Sequence, residues 1–331
     1  MRIHDRVYGD FDITGILAEL VESGPVQRLK GIHQGGASYL VNEKWNITRY
    51  DHSVGVMLLI RRLGGCLEEQ IVGLLHDISH TAFSHVVDYV FDNRDEDYHE
   101  KIFEQVVMDS VIPEILRKYD LDCDLLFSGE DRWGILDQPA PELCADRIDY
   151  TLRDLLQNGM IEEMEVDPFI ESLAVINGKI FVNSLEMAEW FVDAYYKEVI
   201  DYFLDPLNVY AYEILAHALK VALESKEVSL SDLLETDQVM IEKLSKTGNE
   251  RVLDLLKQLN TRVQVEEREG GDYDFHHVKK VRLIDPSVVV GERSLPASKL
   301  SGRVRQSTAA AMKRSLKGTC VKVIRNGVVH T

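Results

Sequence analysis

Cysteine is the first scarcity in this 331-residue chain. Its four cysteines (Cys66, Cys123, Cys144, Cys320) are scattered and form no C-x-x-C pair. A disulfide framework is excluded on that ground, and a cytoplasmic protein with reduced thiols is expected. Long apolar runs are also missing. None approaches the ~18 residues of a membrane span. The opening MRIHDRVYGDFD is charged and lacks the apolar segment of a signal peptide. No internal repeat or low-complexity tract is present, which sets aside repeat arrays. Basic residues are outnumbered, 37 against 56, for a net charge of −19. Such a body repels a phosphate backbone, so general nucleic-acid binding is not expected.

What remains is an ordinary globular composition, 45% hydrophobic and 28% charged. The length suffices for one large domain plus a smaller one. Charge is unevenly spread. From Arg293 to Thr331 there are nine Lys/Arg and no Asp/Glu, leaving 28 basic against 56 acidic residues elsewhere. A basic tail on an acidic body can dock on that body, dock on a second copy, or hold an anion such as a nucleotide phosphate.

The chain is organised around Gly73-Leu-Leu-His76-Asp77-Ile-Ser-His80-Thr-Ala-Phe-Ser-His85. It begins apolar and turns abruptly to His and Asp. A helix is expected over Glu68 to Thr81, which puts His76 and His80 one turn apart on a shared face. Any one of these histidines alone reads as a satisfied core or cap residue. Together they read as a binding cluster.

Other stretches add to it. A helix is expected over 14–22, followed by a Gly35-Gly36 loop containing Gln34 that reads as a pocket lining or a plain surface connection. Thr48, Asp51 and Ser53 are candidate N-caps for an amphipathic run from Val54 to Leu63. His52 belongs to its first turn, with Arg49 nearby as a guanidinium suited to phosphate. Ser84 is a candidate cap for His85 to Phe91, and His99 lies where a helix over 101–108 begins. Asp146, Tyr150 and Asp154 recur every four residues, a polar stripe that is either functional or a solvated face. Asn177-Gly178 between apolar residues predicts a type I′ hairpin. Ser184 starts a long helical zone to about Asn260. From Thr261 Val-rich alternation predicts a small α+β region with a helix over 306–316 and a strand over 320–324.

His52, His76, Asp77 and Asp146 make a two-His, two-carboxylate set. Its donors suit Zn²⁺, Mn²⁺ or Fe, and Mg²⁺ less well. His80, His85 and His99 are surplus, and one of them can serve as a general acid or base. Arg49 and Arg147 can neutralise phosphate. The residues alone lead to metal-dependent phosphoester or phosphoanhydride chemistry.

The order His52, His76-Asp77, Asp146 resembles the H…HD…D signature of the HD-domain metal-dependent phosphohydrolases. Thr48-Arg49-Tyr-Asp-His52, Tyr98-His99-Glu100 and Asp146-Arg147-Ile-Asp149-Tyr150 resemble in particular the deoxynucleoside triphosphate triphosphohydrolase branch. The resemblance covers about residues 1–260. It implies a mainly α fold: an HD-domain catalytic core over 1–180, a helical extension over 181–260 that packs on the core and on a partner subunit, and a small α+β basic region over 261–331. It implies a divalent metal on His52, His76, Asp77 and Asp146. His80 and His99 become the acid/base pair near the α-phosphate, and the reaction releases deoxynucleoside and intact tripolyphosphate. Arg49 and Arg147 would contact phosphates, Arg147 replacing the more usual Lys. Tyr150 would pack on the sugar, Gln34 and Asp154 would hold the 3′-hydroxyl, and His85 would line the pocket. A homo-oligomer, dimer or tetramer, is also implied.

The chain departs from that branch at Phe203 and Asp205, where relatives carry Gln and Lys, and at Glu22 and Lys30, where their effector site uses Asp and Arg. Those departures bear on nucleotide selectivity and on activation, and two other readings stand beside the first. One is a different HD hydrolase, a nucleotidase or phosphodiesterase. The other is a nucleotide-binding regulator with little turnover.

Overall fold

The computed structural model describes residues 1–127 and 132–324, so the last seven residues of the basic region, 325–331, lie outside it. The protein is mainly helical, with three small sheets among the described residues. The apolar faces pack into two clusters. The first joins the Arg49–Arg62, Leu67–Leu75, Ala145–Gln157 and Leu185–Tyr196 helices through residues such as Met57, Leu74, Ile148 and Phe191. The second gathers around the Pro206–Glu224 helix and takes in Phe83, Val86 and Val87.

The helix that carries His52 begins at Arg49, five residues before the apolar run from Val54. Thr48 is its cap: the Thr48 hydroxyl accepts from Asp51 N (3.2 Å), and Asp51 Oδ2 accepts from Thr48 N (3.1 Å). This reciprocal capping box recruits Arg49 to Ser53 into the first turns. The helix packs closely on Ala145–Gln157, and Gly55 makes that possible. A Cβ there would overlap the Arg153 guanidinium and the Asp149 carboxylate.

The expected helix over Glu68 to Thr81 is shorter. It spans Leu67–Leu75, and the chain then turns through His76–His80. Arg28, remote in sequence, gives the physical reason. Its Nη2 donates to the carbonyls of Ile78 (2.7 Å) and His80 (2.8 Å), which offers those carbonyls an acceptor role outside a helix ladder. His76 and His80 therefore do not share a helical face. Ser84 does not cap a helix either. The Val86–Val90 helix has His85 at its N-cap position without a side-chain cap, and Ser84 Oγ donates instead to His33 O (2.7 Å).

The hairpin Leu173–Ile176/Lys179–Val182 turns through Asn177 and Gly178 as expected, both at positive φ (52° and 75°). The helical zone from Ser184 is broken by a π-helical turn over Lys197–Tyr202 and by Asp205-Pro206. The C-terminal helix runs Gly302–Lys317, starting earlier than expected because Ser301 Oγ accepts from Val304 N (3.2 Å). The C-terminal region also completes earlier elements. Ser287–Val290 pairs with the Lys179–Val182 strand. Thr319–Val323 is the central strand of its three-stranded sheet. The basic tail docks on its own chain: Arg303 pairs with Asp193, Arg314 with Glu267 (3.2 Å), and Lys322 with Asp272 (2.7 Å).

Candidate active site

A cavity of about 520 Å³ opens where the Arg49–Arg62, Leu67–Leu75 and Ala145–Gln157 helices converge. All twelve residues singled out from the sequence line it: Gln34, Arg49, His52, His76, Asp77, His80, His85, His99, Asp146, Arg147, Tyr150 and Asp154. The Asp146/Tyr150/Asp154 stripe therefore faces a cavity, and the opposite face (Ile148, Leu152, Leu155) is fully buried.

The histidines divide into two groups. His52, His76 and Asp146 form one, and His80, His85 and His99 the other; in each, the candidate ligand atoms lie within 4.8 Å of one another. Asp77 sits between them. Its Oδ1 is 3.5 Å from His76 Nε2 and 3.2 Å from His80 Nε2, while Oδ2 accepts from Arg49 Nη1 at 2.7 Å.

The first group is built to receive a cation. His76 Nδ1 lies 2.8 Å from Gly73 O, which can only accept, so the ring proton is on Nδ1. His76 Nε2 is left with a lone pair, buried and without a hydrogen-bond partner among the described residues, with Asp77 Oδ1 and Asp146 Oδ1 at 3.5 and 3.6 Å. His52 Nδ1 likewise donates to the buried Asp149 carboxylate (2.8 Å). Its Nε2 then faces Asp146 Oδ1 at 3.0 Å. Two lone pairs cannot meet at that distance without a proton or a cation between them. Burial would lower the His52 pKa, but hydrogen bonds to Asp146 and Asp149 push it up to about 10. Two imidazole nitrogens and a carboxylate, with Asp77 beside them, fit a divalent transition metal by donor type and by second-layer orientation.

The second group differs. His80 is buried and His99 stacks on it, ring centroids 3.9 Å apart. His85 meets both edge-on and bonds through Nδ1 to Asp88 (3.0 Å). Burial, with the neighbouring Arg49 guanidinium, holds the His80 pKa down; burial and His85 lower that of His99 to about 3. Both rings are neutral. The turn that brings them together is strained: Phe83 and Ser84 both adopt positive φ (61° and 51°). Asp237 secures that turn, accepting from Phe83 N (2.6 Å) and from His33 N (2.9 Å).

The remaining residues are placed as follows. Gln34 Nε2 donates to Asp154 Oδ2 (3.2 Å). Burial raises the Asp154 carboxyl to about 6 beside the buried Glu198. Tyr150 hydroxyl bonds Tyr195 (3.2 Å). Arg49 is committed to Asp77 and to Ser84 Oγ (2.9 Å), and Arg147 donates to the carbonyls of Gln138 (2.6 Å) and Glu142 (2.9 Å).

The sequence reading missed several residues. Asp149 orients His52 and is held by Arg153 through two hydrogen bonds (2.8 and 3.0 Å). Its i+3 spacing from Asp146 was the available signal. Glu96, Lys279 and Arg282 also line the cavity, the last two from the C-terminal region. They lie in stretches without helical or strand periodicity, so nothing in the pattern points to them.

Comparison with known proteins agrees with this geometry. A model of the HD domain matches residues 49–154, the span that includes His52, His76, Asp77 and Asp146. The chain is 55% identical to the uncharacterized protein YdhJ of Bacillus subtilis, over 98% of this chain and 100% of that one. It is 30% identical to the metal-dependent phosphohydrolase cns2 of Cordyceps militaris, over 86% and 84%. A shorter match, 29% identical, joins 42% of this chain to 27% of the deoxynucleoside triphosphate triphosphohydrolase SAMHD1 of Gallus gallus. The fold is similar to a solved phosphohydrolase from Bacteroides thetaiotaomicron, with a TM-score of 0.75 at 19% identity, over 98% of this chain and 100% of that one.

Proposed function

Because this chain belongs to the HD-domain metal-dependent phosphohydrolases, we propose that it hydrolyses deoxynucleoside triphosphates to deoxynucleoside and tripolyphosphate. The observation that carries this reading is the division of the site into a candidate metal-ligand group and an adjoining group of three histidines, linked by Asp77. The partial match to SAMHD1 supports the choice of substrate.

In this reading His52, His76, Asp77 and Asp146 hold the ion. A divalent cation supplies Lewis-acid stabilisation of charge on the phosphoryl group under attack. His80 Nε2, 3.2 Å from Asp77 Oδ1, is placed towards the same point. His99, whose Nδ1 has no protein partner, exchanges a proton with the leaving 5′-oxygen. Arg49 holds Asp77 and turns its charge towards the α-phosphate. Arg147 faces the phosphates, Tyr150 packs on the sugar, and His85 lines the pocket. The Gln34–Asp154 pair takes the 3′-hydroxyl, as donor and acceptor. A dimer or tetramer in the cytoplasm completes the proposal; among the described residues no helix is long and apolar enough to cross a membrane.

A second reading, a nucleotidase or other HD phosphohydrolase, is favoured by one observation: both Arg49 and Arg147 are engaged within the protein, which leaves them less free for a polyphosphate. A panel of dNTPs, nucleoside monophosphates and cyclic nucleotides with Mn²⁺ separates the two. The proposal expects turnover of dNTPs with tripolyphosphate as product. Preferential turnover of monophosphates or cyclic nucleotides would replace it with the second reading.

A further inference from the structure

The cavity is walled on one side by a segment distant in sequence from the HD core. Residues 278–284 run across it in extended, irregular backbone and present Lys279, Lys280 and Arg282. The segment is tied at both ends. Before it, His277 bonds Glu213 (2.8 Å) and stacks on Tyr89 (centroids 4.3 Å apart). After it, Ile284 is fully buried, and Asp285 N donates to Pro141 O (2.8 Å). In the middle, Lys280 Nζ donates to Asp95 O (3.0 Å), and Arg282 forms an ion pair with Glu96. The segment is a fixed wall.

The cations around the cavity are unequal. Arg49 and Arg147 are bound to protein acceptors, Arg282 is paired with Glu96, and Lys280 is held by a carbonyl. Lys279 alone among them has no hydrogen-bond or ion-pair partner within the described residues. Its ammonium lies 4.4 Å from the centroid of the Tyr212 ring and 5.9 Å from that of Phe203. Two aromatic faces stabilise a cation without neutralising it. Burial lowers its pKa to about 8, so it still carries a proton at neutral pH. A part-buried ammonium beside two rings, lining a cavity, is costly unless an anion completes it.

We propose that Lys279 binds the distal phosphates of the substrate, adding to the contact assigned to Arg147. This rests on the triphosphate reading for its substrate and on the Lys279 geometry for its residue. Lys279 thereby sets the preference for a polyphosphate chain over a monophosphate. Glu96 neutralises Arg282, and Lys280 is turned to the Asp95 carbonyl, which leaves Lys279 as the wall's cation without a protein acceptor among the described residues.

Calorimetry on the full-length protein tests this with inorganic tripolyphosphate and deoxyadenosine as probes. The proteins compared are the wild type, Lys279→Gln, Lys279→Met and Lys279→Arg, each checked for an unchanged unfolding temperature. Met keeps the apolar stem against Tyr212, so one neutral variant remains if the other fails to fold. Loss of one charge-assisted contact is expected to weaken tripolyphosphate binding about tenfold in the neutral variants and less than about threefold in Lys279→Arg, with deoxyadenosine binding unchanged. Three results overturn the proposal: a wild type that does not bind tripolyphosphate, a neutral variant that binds it as well as the wild type, or equal loss for both probes. A wild type that turns over only monophosphates, while Lys279 still governs tripolyphosphate binding, would remove the triphosphate reading and leave the anion site.

Discussion

At the scale of single residues, His76 Nε2 carries the metal assignment. Its partner ring atom is fixed by Gly73 O, and the lone pair that results has no use inside the protein. His76→Ala removes that donor and leaves the other ligands in place. Metal analysis of purified protein should then show near-complete loss of the bound divalent ion after dialysis, because structural affinity falls steeply with ligand number. Retention at the wild-type level would mean that His76 is no ligand. A second residue-scale prediction concerns Glu96. Burial pushes its carboxyl up, but the Arg282 guanidinium overrides this and holds it at about 2. Its folded pKa is therefore below the ~4.3 of an unfolded Glu. The pair stabilises the fold fully above about pH 5, and the contribution is lost as pH falls through about 4 to 2. Urea unfolding should find Glu96→Gln less stable than the wild type by about 2–3 kcal/mol at pH 7. That difference should shrink towards zero near pH 2.5. A difference that does not change with pH would contradict the assignment.

The chemistry-bearing residues were legible because their types are unusual in company: three histidines and an Asp within ten positions, with Asp146 and Tyr150 at helical spacing. The division between them was not. His76 and His80 read as one helical face, and only Arg28, some fifty residues earlier, ends that helix and sends the rings to different groups. Lys279 was invisible for a related reason. Its segment has neither the 3.6 nor the 2 residue period that pattern reading depends on.

At the scale of elements, the site depends on how closely the Arg49–Arg62 and Ala145–Gln157 helices approach. The four candidate ligands come from these two helices and from the turn after Leu67–Leu75. Gly55 sets the approach, since its missing side chain leaves room for the Arg153–Asp149 pair that orients His52. Gly55→Ala should cost about 1–3 kcal/mol of stability, because overpacking a dense crossing forces backbone shifts. It should also weaken metal binding, read by competition with a chelator, since Asp149 can no longer hold His52. Helix propensity alone predicts the opposite, a small stabilisation from replacing Gly in a helix interior. A more stable variant with unchanged metal affinity would therefore contradict the packing account. The helix starts were legible where a side chain caps them, as at Thr48 and Ser184. The ends were less so, because tertiary acceptors set them.

At the scale of the whole molecule, the acidic body and basic tail belong together. Cations of the tail meet Asp193 of the body and Glu267, Glu269 and Asp272 of the C-terminal region itself, so part of its charge is paired within its own chain. Its strands complete sheets begun elsewhere, and the segment before it walls the cavity. The mainly α class came with the family resemblance, and helical stretches were legible by pattern up to about residue 260. The reach of residues 278–284 back over the site was not, since long-range contact leaves no local trace. The central claim is a reaction at the α-phosphorus of a deoxynucleoside triphosphate, carried out beneath that wall. Hydrolysis of a dNTP with Mn²⁺ in ¹⁸O-enriched water, followed by mass spectrometry of the products, tests it most directly. The account predicts unlabelled deoxynucleoside and tripolyphosphate carrying one ¹⁸O. Orthophosphate or pyrophosphate as the released product, or label in the deoxynucleoside, would contradict it.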